Sequence, residues 1–370
     1  MSSDLPTLFA VFDRHRDRGE PLVLATIVDT AGSTYRKSGA RMLLEPDGGQ
    51  AGILGGGCFE GDLATHVDTV LTEDRARVVE YDMRGEDDLI WGLGLGCNGL
   101  VRILLQPLTP DSGYRPFGYL ARTATGDAGG VLATVLSGAA AVGASLAVDT
   151  DGVHDLGLDP RAWPQLVEAC RARTGGKPGA ETLETQSGAV EVFFDVLRPV
   201  PHLLILGAGP DAVPVALLAR QLFWRVTIAD HRAAWVRPDR FPSGCELLEV
   251  DPSRLGSDVD LSTVSAAVVM SHAFSADEEY LRALAAAPPR YIGLLGPAAR
   301  RDALLETLDN MARRRLHDRA RGPVGLNLGG RSPQAIALSL VAEIQATLAG
   351  KDAAPMDDRY RGRRHERAFA

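Results

Sequence analysis

A glycine-rich loop between an apolar strand and a helix constrains the fold of this chain most strongly. The segment 203–232 reads LLILGAGPDAVPVALLARQLFWRVTIADHR, in which Gly207, Gly209 and Ala212 follow the first apolar run. Gly207 permits a tight turn, Gly209 lets a phosphate approach the backbone, and Ala212 allows a helix to pack closely on a strand. A second strand and Asp230 follow, and a carboxylate at this spacing accepts hydrogen bonds from ribose hydroxyls. This order predicts a Rossmann-like unit.

The ligand of this loop is left open by the sequence. The helix N-terminus would offer N–H groups and a positive partial charge to a phosphate. Asp230 disfavours a 2′-phosphate, whereas the adjacent His231 and Arg232 would accommodate one, so NAD and NADP both remain candidates. The loop also fits the phosphate of another cofactor, or is retained for fold geometry alone. His272 follows a later predicted strand, at the sheet edge where such folds bind ligands, and is a further candidate contact.

Alternating strands and helices continue the pattern towards the C-terminus. Strands are predicted at 203–206, 225–229, 266–270, 291–295 and 324–328. The last helix is predicted to begin at Ser332, an N-cap followed by Pro333, and to end at Gly350. We therefore expect an α/β domain with a doubly wound parallel sheet at 201–350, followed by a charged tail at 351–370.

The N-terminal part of the chain has a different sequence pattern. Residues 1–106 alternate short apolar runs with glycine clusters, which predicts a separate mixed α/β domain. Residues 107–200 are expected to form a connecting subdomain that packs with it. The uncharged segment 131–148 is interrupted by Gly138 and Gly143, so it fits two short strands better than a membrane-spanning helix.

Two cysteines are each flanked by glycines. Cys58 lies in GGGCFEGD at the predicted start of a helix, where the helix dipole and nearby N–H groups favour a thiolate. A thiolate binds soft metals or carries sulfur, and Gly55, Gly56 and Gly57 would let a bulky anionic ligand approach the backbone. Cys97 has a matching setting, GLGCNG. The alternative is that each is a small buried residue in a tight turn, and their spacing does not favour a zinc site.

Charged residues accompany these glycines. Arg36, Lys37 and Arg41 lie between two predicted strands and could neutralise a phosphate or dithiolate ligand. The alternative is that they are simple solvated charge, which is the more frequent role of exposed basic residues in a loop. Glu60, in the same segment as Cys58, is also a candidate cofactor contact.

The composition excludes several partners and compartments. The net charge of −9 and the pI near 5.4 give no reason to expect nucleic acid or an anionic membrane as a partner. Four scattered cysteines are too few for a disulfide framework. The N-terminus lacks the basic and apolar regions of a signal peptide. We therefore expect a cytoplasmic protein without stable membrane insertion.

Together these segments resemble the xanthine dehydrogenase accessory factor family, XdhC/CoxI, over nearly the whole chain. The resemblance is carried, in order, by LATIVDTAGSTYRKSGARMLL, GILGGGCFEGDL, WGLGLGCNGLV, LLILGAGPDAVPVA with VTIADHR, VVMSHAF, RYIGLLGP and PVGLNLGGRSPQAIALSLVAEI. It implies that 1–106 is an XdhC/CoxI domain and 201–350 a Rossmann domain. Ser38, Asn327 and Gly330 depart from the usual Pro, Asp and Ala, and the missing carboxylate at 327 argues against metal or ribose contact by that loop.

The resemblance also implies a function. Family members are understood to bind molybdenum cofactor (molybdopterin), to assist its sulfuration with a cysteine desulfurase, and to deliver it to a xanthine-dehydrogenase-type or CO-dehydrogenase-type molybdoenzyme. Cys58 and Cys97 match the glycine-flanked cysteines of the family and would carry this chemistry, with Cys58 as the candidate molybdenum ligand. A homodimer is also suggested.

Two other classes of function remain open. An NAD(P)-dependent oxidoreductase would use the Rossmann domain, with His272 or a cysteine as acid or nucleophile. A non-catalytic regulator would sense a nucleotide there and dock on a partner. The sequence does not identify the client enzyme.

Overall fold

The computed structural model describes residues 5–57, 59–84, 98–126 and 129–356, and the chain divides into two compact units, 1–199 and 200–370. The elements of the first unit are α1 (Leu5–Arg18), β1 (Leu22–Ser33), β2 (Arg41–Leu44), β3 (Gln50–Gly52), α2 (Glu60–Thr65), α3 (Val67–Glu73), β4 (Arg77–Asp82), β5 (Asn98–Leu108), α4 (Phe117–Thr125), β6 (Gly130–Gly138), β7 (Ser145–Asp149), β8 (Gly152–Leu156), α5 (Pro164–Ala172), β9 (Gly179–Thr185) and β10 (Gly188–Leu197).

Two antiparallel sheets make up the first unit. Their strand orders are β3-β2-β1-β5-β4 and β8-β7-β6-β10-β9. The uncharged segment 131–148 contributes β6 and β7 rather than a helix, as predicted. Among the described residues, no helix is both long and apolar enough to cross a bilayer.

Strand β1 contributes to apolar clusters on both of its sides, because both of its faces are apolar. Val23 and Ile27 pack in one cluster with residues of α2 and α3. Leu22 and Leu24 point the other way, since side chains alternate along a strand, and join a second cluster that includes Leu132 of β6. The two sheets of this unit therefore share buried apolar side chains.

The second unit is a parallel α/β layer structure. Its elements are β11 (His202–Leu206), α6 (Ala212–Gln221), β12 (Arg225–Asp230), β13 (Glu246–Glu249), α7 (Leu255–Asp258), β14 (Ala266–Val269), α8 (Phe274–Ala286), β15 (Tyr291–Leu294), α9 (Ala298–Glu306), α10 (Asn310–Leu316), β16 (Ala320–Arg321) and α11 (Pro333–Ala349).

All neighbouring strands of this sheet are parallel, in the order β13-β12-β11-β14-β15-β16. Leu204 and Leu206 of β11 pack in a cluster with α8, whereas Leu203 and Ile205 pack in another with α6 and α11. Helices thus cover both faces, and the order is that of a dinucleotide-binding Rossmann fold. The predicted fold class is confirmed.

The sixth strand lies elsewhere than predicted. The expected strand at 324–328 is wrong, because β16 is the short Ala320–Arg321 segment. The backbone N–H of Gly325 donates to Glu343 and that of Leu326 to the carbonyl of Ser339, so this segment is bonded to α11 and not to the sheet. By contrast, α11 begins and ends where the sequence predicts, with Ser332 as N-cap and Gly350 in the left-handed region at its C-terminus.

Candidate functional site

A buried carboxylate organises the first glycine loop, between β3 and α2. Oε1 of Glu60 accepts hydrogen bonds from the N–H groups of Leu54 (3.1 Å) and Gly55 (2.6 Å). Oε2 accepts from the N–H groups of Gly57 (3.0 Å) and Phe59 (3.3 Å). Glu60 is 7% exposed. Its carboxylate is therefore directed at the loop backbone, which it holds in place on both sides of position 58.

The glycines of this loop are required by the chain itself. A Cβ on Gly55 would lie 2.5 Å from the ring of Phe59. Gly56 and Gly57 have φ of +66° and +101°, in the region that favours glycine. Of the three, Gly57 alone has no atom of the described residues within 4 Å of the position that a Cβ would take.

Cys58 and Cys97 lie outside the described residues, but Gly57 and Phe59 on either side of Cys58, and Asn98 after Cys97, are described. Asn98, which follows Cys97, pairs with Ser33 at the end of β1. Two residues further on, the ring of Tyr35 lies 3.7 Å from the Cβ position of Gly56. The end of β1 and the connection that follows it therefore lie beside described neighbours of both cysteines.

This connection carries one exposed ring and two cationic side chains. Tyr35 is 61% exposed. Arg36 is half-buried, and Nζ of Lys37 donates to the carbonyl of Gly32 (3.3 Å) and to Oγ1 of Thr34 (3.0 Å). Sequence reasoning missed Tyr35, although a lone aromatic residue within the polar stretch GSTYRKSG was the available signal.

Arg41, the third predicted cation, lies inside the unit. It is 1% exposed, and its guanidinium forms an ion pair with Asp195 of β10. Nη1 also donates to the carbonyl of Gly39 at 3.1 Å. Burial lowers the pKa of Arg41 to about 10. The structure thus places Arg41 in a buried pair between the two sheets and away from solvent.

In the second unit, the two glycines of the Rossmann loop have different roles. Gly207 has a φ of +122°, and a Cβ there would lie 2.5 Å from the carbonyl oxygen of Met270. Gly209 has no positive φ, and no atom of the described residues lies within 4 Å of its Cβ position. The fold explains Gly207, whereas the space beside Gly209 is open to a ligand.

His272 lies next to this loop, at the carboxyl end of β14. Its Nε2 is 3.3 Å from Oδ2 of Asp211, the residue before α6, and its side chain is 57% exposed. His272 has a φ of +62°, which is uncommon for a residue with a side chain. Since α6 and α8 cover opposite faces, both residues lie at the switch point where such sheets bind ligands. Sequence reasoning missed Asp211.

Both carboxylate oxygens of Asp230 already accept hydrogen bonds from within the protein. Its carboxylate accepts from the N–H of Ala208 (2.7 Å), from the N–H of Arg232 (2.9 Å), and from Nε (2.9 Å) and Nη2 (2.7 Å) of the Arg232 guanidinium. Burial alone would raise the pKa of Asp230, but these bonds hold it below its ordinary value. The side chain is 0% exposed, so it is directed at the glycine loop and Arg232. His231, one-third exposed, lies 3.5 Å from the same carboxylate.

The other two cysteines have no reactive environment. Burial raises the pKa of Cys170 to about 12 and also raises that of Cys245, which disfavours a thiolate. Within the described ranges, no group of three or more His, Cys, Asp or Glu side chains is arranged to hold a metal ion.

Comparison with known proteins defines the class. The model of the XdhC and CoxI family matches residues 15–82, which include Tyr35 and the first glycine loop, and that of the XdhC Rossmann domain matches residues 203–344. The chain is 32% identical over 334 residues to a probable xanthine dehydrogenase subunit of Bacillus subtilis (strain 168), covering 89% of this chain and 93% of that protein. The chain therefore belongs to the XdhC and CoxI family, and the resemblance found in the sequence is confirmed.

Two further relatives extend the comparison. The molybdenum cofactor insertion chaperone PaoD of Escherichia coli (strain K12) is 25% identical over 327 residues, covering 88% of this chain and 83% of that protein. The crystal structure of a Bacillus halodurans protein named as a xanthine dehydrogenase superposes with a TM-score of 0.73 at 28% identity. That match covers 96% of this chain and 98% of the other.

Proposed function

We propose that this protein is a cytoplasmic accessory factor that binds molybdenum cofactor and delivers it to a xanthine-dehydrogenase-type or CO-dehydrogenase-type molybdoenzyme. The observation that carries the proposal is that described neighbours of both cysteines lie at the end of β1 and the connection to β2. The name of PaoD, a molybdenum cofactor insertion chaperone, supports the same role.

The residues of the first unit fit such a cofactor in three ways. The exposed ring of Tyr35 offers a flat apolar face to a pterin. Arg36 and Lys37 place positive charge on the same connection, where a phosphate would be neutralised. No described atom lies within 4 Å of the Cβ position of Gly57, the residue before Cys58, so a ligand would have room there. When bound, the cofactor supplies the molybdenum centre that the client enzyme uses.

Cys58 and Cys97 are proposed to provide the thiolates at the metal end, with Cys58 as the molybdenum ligand. Glu60 would act through the loop, because its carboxylate is occupied by backbone N–H groups. We therefore assign Glu60 to positioning Cys58. Sulfuration by a cysteine desulfurase and dimerisation of the chain belong to the same proposal.

Anaerobic titration of the purified full-length protein with molybdenum cofactor tests this assignment. Wild type should retain the cofactor through gel filtration, and Cys58→Ala should lose it. Cys245→Ala is the matched control, because its thiol is half-buried in the second unit and has a raised pKa. Failure of wild type to bind, or equal retention by Cys58→Ala and Cys245→Ala, would contradict the proposal.

A further inference from the structure

We propose that the second unit contains a nucleotide site of its own that selects an adenosine phosphate carrying a 2′-phosphate. The sequence leaves this choice open, because Asp230 favours an unmodified ribose and its basic neighbours favour the phosphate. The observation that decides it is the pairing of Asp230 with Arg232. This inference is independent of molybdenum cofactor binding by the first unit.

The pairing removes the group that would recognise a ribose diol. Both oxygens of Asp230 already accept two hydrogen bonds each, from Ala208 and Arg232. A ribose hydroxyl could reach this carboxylate only by displacing the guanidinium, which would break a bidentate, charge-assisted contact. The 0% exposure of the carboxylate leaves no oxygen available to solvent or ligand.

The same pairing presents a cation in place of the carboxylate. Nε and Nη2 of Arg232 are bonded to Asp230, and Nη1 has no hydrogen-bond partner within the described ranges. The Arg232 side chain is 35% exposed, so part of it is accessible to a ligand. A phosphate oxygen is the acceptor that this geometry favours, because guanidinium N–H groups bond phosphate strongly and directionally.

A cation–aromatic cluster holds the arginine in place. The guanidinium of Arg232 lies 5.2 Å from the centre of the Trp235 ring, and that of Arg240 lies 4.5 Å from it. Nη1 of Arg240 donates to the carbonyl of Ala208 (2.9 Å), so the cluster is tied to the glycine loop. Two guanidinium groups therefore lie at this end of the site, and His231 lies 3.5 Å from the Asp230 carboxylate.

The phosphate-binding half of the site lies on the same loop. Gly209 is open to a ligand, and the N–H of Ala208 is fixed by Asp230 at the start of the loop. One carboxylate therefore shapes the glycine loop and orients Arg232. A nucleotide whose 5′-phosphate lies at the loop would have its ribose at the end of β12, where Arg232 is.

Isothermal titration of the full-length protein with 2′,5′-ADP and with 5′-AMP tests the proposal, since these probes differ only in the 2′-phosphate. Wild type should bind 2′,5′-ADP at least about tenfold more tightly than 5′-AMP, which is the effect of one strong charge-assisted contact. Arg232→Gln should abolish this preference while thermal unfolding shows a folded protein. Should that variant not fold, Arg232→Lys, which keeps the charge and loses the planar fork, should reduce the preference.

Arg237→Gln is the matched control. Arg237 makes the same bidentate contact with a carboxylate two residues away, Asp239, on an exposed segment. It should retain the full preference. Equal binding of both probes by wild type, no binding of either, or an equal gain for 3′,5′-ADP, which would reflect general charge attraction, would each overturn the proposal.

Discussion

Glu60 gives the sharpest test of how the first glycine loop is held. In Glu60→Gln, one amide oxygen replaces two carboxylate oxygens, so only one of the two pairs of N–H donors can be satisfied. We expect the amide to keep Leu54 and Gly55, which are both buried, and to turn its NH2 towards Gly57 and Phe59. Gly57 is exposed and can be solvated, whereas Phe59 is buried and cannot.

The magnitude follows from those two donors. A buried donor left without a partner costs about 1–3 kcal/mol, and a lost bond to a charged group adds to this. We therefore expect Glu60→Gln to lower the free energy of unfolding of the first unit by about 2–3 kcal/mol, and Glu60→Ala, which abandons all four donors, by about 4 kcal/mol. For a unit of this size the first value corresponds to a fall in Tm of about 5–10 °C.

Thermal unfolding and amide hydrogen exchange of the peptide containing residues 54–60 measure the two effects separately. Glu73→Gln is the control, because Glu73 lies on the following helix in an exposed pair with Arg77 and should change stability by less than about 0.5 kcal/mol. A Glu60→Gln variant with the Tm of wild type and unchanged amide hydrogen exchange in residues 54–60 would refute this prediction.

Three further expectations concern other residues. Arg41→Met should destabilise the first unit by about 3–5 kcal/mol, because it leaves Asp195 charged and buried. The double change Arg41→Met/Asp195→Leu should recover most of the lost stability in urea unfolding. An equal loss of stability in the single and double variants would contradict this prediction. Gly209→Val should leave Tm unchanged but abolish nucleotide binding, whereas Gly207→Ala should lower Tm, because its Cβ would meet a backbone carbonyl; a normal affinity in a folded Gly209→Val protein would count against the loop assignment. Asp230→Asn should be less stable than wild type at pH 7. The folded pKa of Asp230 is depressed, so its contribution is present above the unfolded pKa of about 3.9 and is lost as pH falls through the folded value. In urea unfolding, the difference in free energy of unfolding between wild type and Asp230→Asn should therefore narrow below about pH 4. A difference that does not vary with pH would contradict this.

Local signals were read correctly from the sequence, and partners distant in the chain were not. The N-cap Ser332 and the Gly207 turn each depend on residues within a few positions, so their spacing predicts them. Arg41 was interpreted as a cation in a loop because no residue near it in the sequence indicates that it pairs with Asp195 of β10. The segment 324–328 has the apolar character of a strand, but its hydrogen bonds go to α11.

The site residues show the same division. The spacing from the glycine loop identified Asp230. The spacing does not predict that the carboxylate pairs with the Arg232 guanidinium, because that depends on the side-chain conformations of both residues. Glu60 was recognised as part of the loop, but its convergence of four donors depends on the path of the backbone.

Strand β1, with apolar clusters on both of its sides, gives the first unit a thermodynamic property that neither sheet would have alone. The glycine loop and α2 pack on one side of β1, and strands of the second sheet pack on the other. A ligand that binds only the folded form stabilises everything that unfolds together with its site. Occupancy at the glycine loop would therefore also lower the equilibrium population of molecules in which β6 and β7 are globally open, so a ligand at the first sheet protects the second sheet as well.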